Sequence, residues 1–121
     1  MRINLKGTNI ELSPEIKAYL DKRLESLQKF VPNGGQSFIV DVELGRTTRH
    51  HHAGDIFRAE INVFIGKKSF RAVSEQADLY IAIDDVKAEI TRELGSDKER
   101  KISLLRRGGQ KFKEFFRRLY Q

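Results

Sequence analysis

The side chains best suited to chemistry in this 121-residue chain are cationic. Lys22, Arg23 and Lys29 fall close together, and Arg92, Lys98, Arg100, Lys101, Arg106 and Arg107 form a second, denser group. Ammonium and guanidinium groups in such numbers neutralise phosphates and release counterions, which gives strong but salt-sensitive binding to a polyanion. The charge is also unevenly placed. Residues 1–86 hold 12 Lys/Arg and 12 Asp/Glu, whereas residues 87–121 hold 11 and 5, so the whole net charge of +6 sits in the last stretch. A basic end on a neutral body is the electrostatic footprint of a nucleic-acid binder. A solvated helix face explains the first group alone; it does not explain both groups and the tail together.

Other chemistry has weaker support. His50-His51-His52 is a metal-ligand type, but Asp55 is the one carboxylate nearby, and a site needs three or four converging ligands. Flanked by Arg46 and Arg49, the triplet reads as solvated or phosphate-facing. Asp84, Asp85 and Glu89 are conceivable acid/base carboxylates, yet on a charged helix they read as solvent-facing, with Asp84 able to hydrogen-bond a neighbouring element. The absence of cysteine excludes a disulfide, a thiolate zinc site and a cysteine nucleophile. No G-x-S-x-G, P-loop, H-E-x-x-H or G-x-G-x-x-G motif occurs. Neither an enzyme nor a cofactor is expected. No apolar run is long enough to span a bilayer, and the N-terminus alternates rather than forming a signal-peptide block, so the expectation is a cytoplasmic protein.

Arg2 to Lys6 alternates as a half-buried strand. Ser13-Pro14-Glu15 opens a helix, with Ser as N-cap, Pro at the first helical position and an acid in the first turn. Ile16, Leu20, Leu24, Leu27 and Phe30 or Val31 give it an apolar face, and Pro32-Asn33-Gly34-Gly35 ends it. Ser37–Gly45 and Asp55–Ile65 alternate as strands, with Phe64 out of phase, and Gly66-Lys67-Lys68 turns into a last strand over Ser69–Ser74. Arg46 to Asp55 is long for a hairpin and reads as a mobile loop. One sheet face is apolar; the other carries Asp41, Glu43, Arg58, Glu60 and Arg71, suited to cross-strand pairing.

Leu79, Ile83, Val86, Ile90 and Leu94 then mark the buried stripe of a second helix, whose acidic approach (Glu75, Asp78) suits a helix start. Gly95 is a plausible stop and Ser96-Asp97-Lys98-Glu99 has the form of a capping box, so this helix should bend or restart there. Gly108-Gly109 makes a second break. Phe112, Phe115, Phe116 and Leu119 follow at helical spacing, a stripe for packing back, for a second protein or, as the lesser option, for a membrane surface.

The fold class is α+β, in the order β-α-β-β-β-α: a four-stranded antiparallel sheet with two helices packed on one face, plus a C-terminal helical extension. If the helices lie side by side, their basic groups line one groove. No platform of exposed aromatics accompanies it, so shape and phosphate recognition of folded RNA suits it better than base readout.

Two runs carry a family resemblance. Ile3, Leu5 and Gly7 to Pro14 (I-x-L-x-G-T-N-I-E-L-S-P) and Ala77-Asp78-Leu79-Tyr80-Ile81-Ala82-Ile83-Asp84 resemble the ribosome hibernation promoting factor (protein Y) family. The likeness covers residues 1–101, the expected ribosome-binding domain, and leaves 102–121 as a basic amphipathic extension. It implies a non-enzymatic protein that binds the small ribosomal subunit through 16S ribosomal RNA. It further implies a seat in the mRNA channel at the decoding region, over the A and P sites, which excludes tRNA and mRNA and inhibits translation in stress or stationary phase.

Arg23 and Arg92 fall where the family has Lys or Arg, Lys98 and Arg100 match the basic end of the second helix, and Lys22 matches many members. The chain departs from the family at Glu89, where Lys is usual, and at Gly95-Ser96-Asp97, where members have a continuous basic helix. Arg106, Arg107, Lys111 and Lys113 are candidate replacements. About 20 residues after Lys101 are too few for the independent dimerisation domain of long-form members. The resemblance thus implies a short form that does not pair ribosomes alone, a monomer off the ribosome, with no membrane partner and a possible second protein on the Phe stripe. The alternative is a generic module for double-stranded or structured RNA.

Overall fold

The computed structural model describes residues 1–30, 37–48 and 54–120, with side-chain detail as far as Arg107 except at Thr48. The Pro32-Asn33-Gly34-Gly35 turn and His50-His51-His52 lie outside the described residues, as do the side chains of the Phe stripe. The element order is β1 (Arg2–Thr8), α1 (Pro14–Leu24), a 3-10 helix (Glu25–Phe30), β2 (Phe38–Thr48), β3 (Asp55–Ile65), β4 (Lys68–Gln76) and α2 (Leu79–Tyr120).

The β1 to α1 connection explains the first sequence motif. A Cβ at Gly7 would stand 3.0 Å from the Leu12 side chain and 3.1 Å from the Ile10 carbonyl, so the returning loop leaves room for hydrogen only. Asn9 turns the chain at a φ of 58°, in the left-handed region that Asn tolerates better than most residues. Ser13 Oγ then accepts the Ile16 N–H at 3.1 Å, and Pro14 fills the first helical position.

The strands lie in the order β1-β2-β3-β4. β2, β3 and β4 are antiparallel neighbours, but β1 pairs parallel to β2, with Ile3 opposite Val40 and Leu5 opposite Val42. The all-antiparallel expectation is therefore corrected to a mixed sheet. A parallel pair needs a crossover long enough to return the chain, and α1 supplies it. Arg46, Thr47 and Thr48 extend β2 by pairing with Phe57, Ile56 and Asp55, so the strand takes residues that alternation assigns to a loop.

On one sheet face Val40, Val42, Leu44, Ile61 and Val63 are fully buried against Leu20, Leu24 and Leu27 from the first helical segment and the Leu79–Leu94 stripe of α2. Each such side chain removed from water contributes about 1.5–3 kcal/mol. The other face is polar and paired: Arg58 and Arg71 both meet Glu60, Thr8 donates to Glu43 at 2.9 Å and Asn4 to Asp41 at 2.8 Å. Glu43 and Glu60 stand directly opposite each other; these partners offset their repulsion. Phe64, out of phase in the sequence, is exposed on that side.

α2 does not stop and restart; it is a single helix through Gly95, Gly108 and Gly109. Ser96–Glu99 is thus helix interior, and Asp97 takes Lys68 as partner at 2.6 Å and Lys101 at 3.4 Å instead of capping anything. Glycine in a helix interior costs about 1 kcal/mol relative to alanine, less than the adjacent burial of Leu94 and the Asp97 clasp supply together. A Cβ at Gly95 meets nothing within 4 Å. Gly95→Ala therefore raises stability by about 0.5–1 kcal/mol, read as a higher urea midpoint at unchanged slope.

Candidate nucleic-acid interface

α1 and α2 lie side by side on the sheet and are joined by a polar cluster. Tyr19 and Tyr80 meet edge to face with ring centroids 4.8 Å apart. The Tyr19 hydroxyl donates to Asp84 at 2.8 Å, and Arg23 Nε donates to the same carboxylate at 2.9 Å. Arg23 Nη2 also donates to the Tyr19 hydroxyl, with its guanidinium carbon 4.3 Å from that ring's centroid. Asp84 thus hydrogen-bonds a neighbouring element, and the Asp78-Leu79-Tyr80 to Asp84 run acquires a physical account. Asp78 caps α2 by accepting the Tyr80 N–H, Leu79 and Ile83 enter the core, and Tyr80 and Asp84 fasten α1.

Desolvation acts against ionising Asp84, but the hydrogen bonds from Arg23 and Tyr19 outweigh it and hold the carboxyl below its usual range. The same contact raises the Tyr19 phenol and the Arg23 guanidinium. At Asp97 the hydrogen bond from Lys68 lowers the pKa against partial desolvation. A carboxyl whose folded pKa is depressed contributes stability that is present above its unfolded value and is lost as pH falls through the folded one. Acidification below about pH 4 therefore lowers the wild-type urea midpoint, and the double substitution Asp84→Asn, Asp97→Asn makes that decline shallower.

The cationic residues separate into two sets. Arg23 is tied to Asp84, Arg92 forms an ion pair with Glu89, and Lys101 reaches Asp97. Lys29 stands 5.2 Å from the Phe30 ring centroid. Lys22, Lys98, Arg100, Arg106 and Arg107 are exposed and, among the described residues, carry no ion-pair partner. The structure brings Arg23 against α2 but not against Arg92. That residue lies eight positions beyond Asp84, about 12 Å along the helix and turned by roughly 80° away from the α1 side. The basic groups are thus spread along and around α2 beyond its contact with α1, with Lys98 and Arg100 about 160° apart around the axis, rather than lining one closed groove. Lys87, one turn from Asp84 and close enough to lower its pKa, belongs to this surface although the sequence reading did not single it out. Its i, i+3 spacing from Asp84 was the available signal.

Among the described residues no cluster of His, Cys, Asp and Glu can hold a metal, and no helix is long and apolar enough to cross a membrane.

The family model described as sigma 54 modulation protein / S30EA ribosomal protein matches residues 3–102. The chain is 24% identical over 100 residues to a ribosome hibernation promoting factor of Klebsiella oxytoca, covering 83% of this chain and 96% of that one. It is 28% identical over 102 residues to a ribosome hibernation promotion factor of Lactococcus lactis, covering 83% of this chain but only 51% of that longer protein. Among solved structures, the N-terminal domain of Thermus thermophilus Protein Y superposes with a TM-score of 0.62 at 27% identity, over 78% of this chain and 96% of that one. A ribosomal subunit interface protein from Coxiella burnetii shares the fold with a TM-score of 0.65 at 19% identity, over 82% and 99% of the two chains.

Proposed function

Because this chain belongs to the sigma 54 modulation protein / S30EA ribosomal protein family, a non-enzymatic family of ribosome hibernation factors, we propose that it silences idle ribosomes by occupying the small subunit. In this reading it seats in the mRNA channel at the decoding region, over the A and P sites, and contacts 16S ribosomal RNA. It acts by steric occupancy, in the cytoplasm, and excludes tRNA and mRNA. The observation that carries the reading is the family match over residues 3–102, which takes in Lys22, Arg23, Lys29, Arg92, Lys98, Arg100 and Lys101. Arg106 and Arg107 continue the basic stretch of α2 just beyond it.

The residues divide by role. Lys22, Lys98, Arg100, Arg106 and Arg107 present unshared charge to phosphates, the groups best placed to release counterions. Arg23 is held by Tyr19 and Asp84, so it enters RNA contact already oriented. Arg92 and Lys101 exchange a carboxylate for a phosphate on binding. Sedimentation with intact ribosomes and separated subunits across a salt series tests the reading. Pelleting with the small subunit at low salt, release as salt rises and competition by tRNA are expected. No pelleting at low salt overturns it, and equal affinity for plain duplex RNA replaces it with a generic RNA-binding module.

A further inference from the structure

Beyond the Lys68–Asp97 ion pair α2 leaves the sheet, yet its sequence does not become uniformly polar. Ile102, Leu104 and Leu105 are 40%, 62% and 50% exposed, three apolar side chains within four positions. A break at Gly108-Gly109 would make them unrelated to the Phe residues downstream. The unbroken helix aligns them.

At about 100° per residue, positions 102, 105, 112, 116 and 119 (Ile, Leu, Phe, Phe, Leu) follow one side of the helix. Leu104 and Phe115 widen that side to a sector of roughly 160°. From 102 to 120 this sector contains no charged position. The remaining surface holds Arg106, Arg107, Lys111, Lys113, Arg117 and Arg118 against one acid, Glu114. Lys111 and Lys113 occupy the two borders of the apolar sector.

We infer that residues 102–120 form a surface-lying helix that binds anionic phospholipid, with the apolar sector immersed at the headgroup boundary. An apolar side flanked by long cationic side chains is the arrangement that lets the stems lie along hydrocarbon while the charges reach lipid phosphates. RNA accounts for the charge but gives no partner to the apolar positions of a sector of roughly 160°. A second copy of the helix faces like charge along both borders. A rigid protein groove meets a gap at Gly108 and Gly109, both within the apolar sector, whereas fluid acyl chains fill it. The inference departs from the expectation of no membrane partner, and the unbroken helix is the reason. It shares Arg106 and Arg107 with the proposed ribosomal surface and otherwise rests on residues outside it.

Flotation of the full chain with vesicles of equal parts phosphatidylglycerol and phosphatidylcholine tests it, with pure phosphatidylcholine as control. Binding to the anionic vesicles alone is expected. Phe112→Ser with Phe116→Ser should weaken that binding about 100-fold through lost apolar burial, while small-subunit sedimentation and the thermal midpoint stay unchanged. No flotation at low salt overturns the inference. So does flotation indifferent to the Phe substitutions, which marks plain charge attraction. A loss of subunit binding in a double variant whose parent does not float overturns it too, and assigns the apolar side to a protein on the ribosome.

Discussion

Replacing Lys98, Arg100, Arg106 and Arg107 together by glutamine lowers affinity for the small subunit by about two orders of magnitude at low ionic strength and flattens its salt dependence. The choice of residues follows from their partners. Each is exposed on α2 and, among the described residues, free of an ion pair, so its charge is available to a phosphate without first leaving a carboxylate. Each phosphate contact steepens the logarithmic salt slope by about 0.7–0.9, so losing four should reduce it by roughly 3. None of the four packs in the core, and thermal unfolding of the variant should match the parent.

Arg23→Gln is the instructive contrast. It removes the same unit of charge but also strips Asp84 and Tyr19 of a partner, so it should lower stability as well as binding. A quadruple variant that keeps full affinity and slope means that the basic stretch of α2 is not the RNA surface.

Much of this fold was legible in the sequence because its signals are local. Alternation marked the strands, Ser13-Pro14 opened α1, and steps of three and four selected Leu79, Ile83, Val86, Ile90 and Leu94, all of which are buried. Strand direction was not legible: alternation is identical in parallel and antiparallel pairs, and the orientation of β1 depends on how the α1 crossover returns. Gly95 misled because glycine's helix cost is a local preference of about 1 kcal/mol, while what opposes it is tertiary, including the bond from Lys68 to Asp97, 29 positions apart.

The candidate site divides the same way. Basic side chains can be counted from sequence, but which of them are already paired cannot. The Arg23–Asp84 contact joins residues 61 apart, so a pair that looks like one exposed cation and one exposed acid becomes the fastening between two helices. The two departures from the family pattern also change meaning in the structure. Gly95-Ser96-Asp97 does not interrupt α2, and Glu89 serves as partner to Arg92 rather than standing as an unpaired acid in a basic surface.

Ile90→Ala is expected to cost about 2–5 kcal/mol of unfolding free energy, a large part of the roughly 5–15 kcal/mol that holds a domain together. Ile90 is fully buried in the stripe that seats α2 on the sheet, where deletion of its methyl and methylene groups leaves a cavity that a close-packed interior fills only in part. Leu104→Ala on the same helix removes a similar side chain from an exposed position, and its effect on urea unfolding should stay within about 0.5 kcal/mol. The difference between the two separates the anchored part of α2 from the projecting part. It also has a functional edge. Ile90→Ala should reduce subunit binding chiefly through the fraction of chains unfolded, so affinity returns under conditions that restore folding, such as added osmolyte. The loss in the quadruple charge variant does not. Equal costs for Ile90→Ala and Leu104→Ala contradict the docking of α2 through its 79–94 stripe.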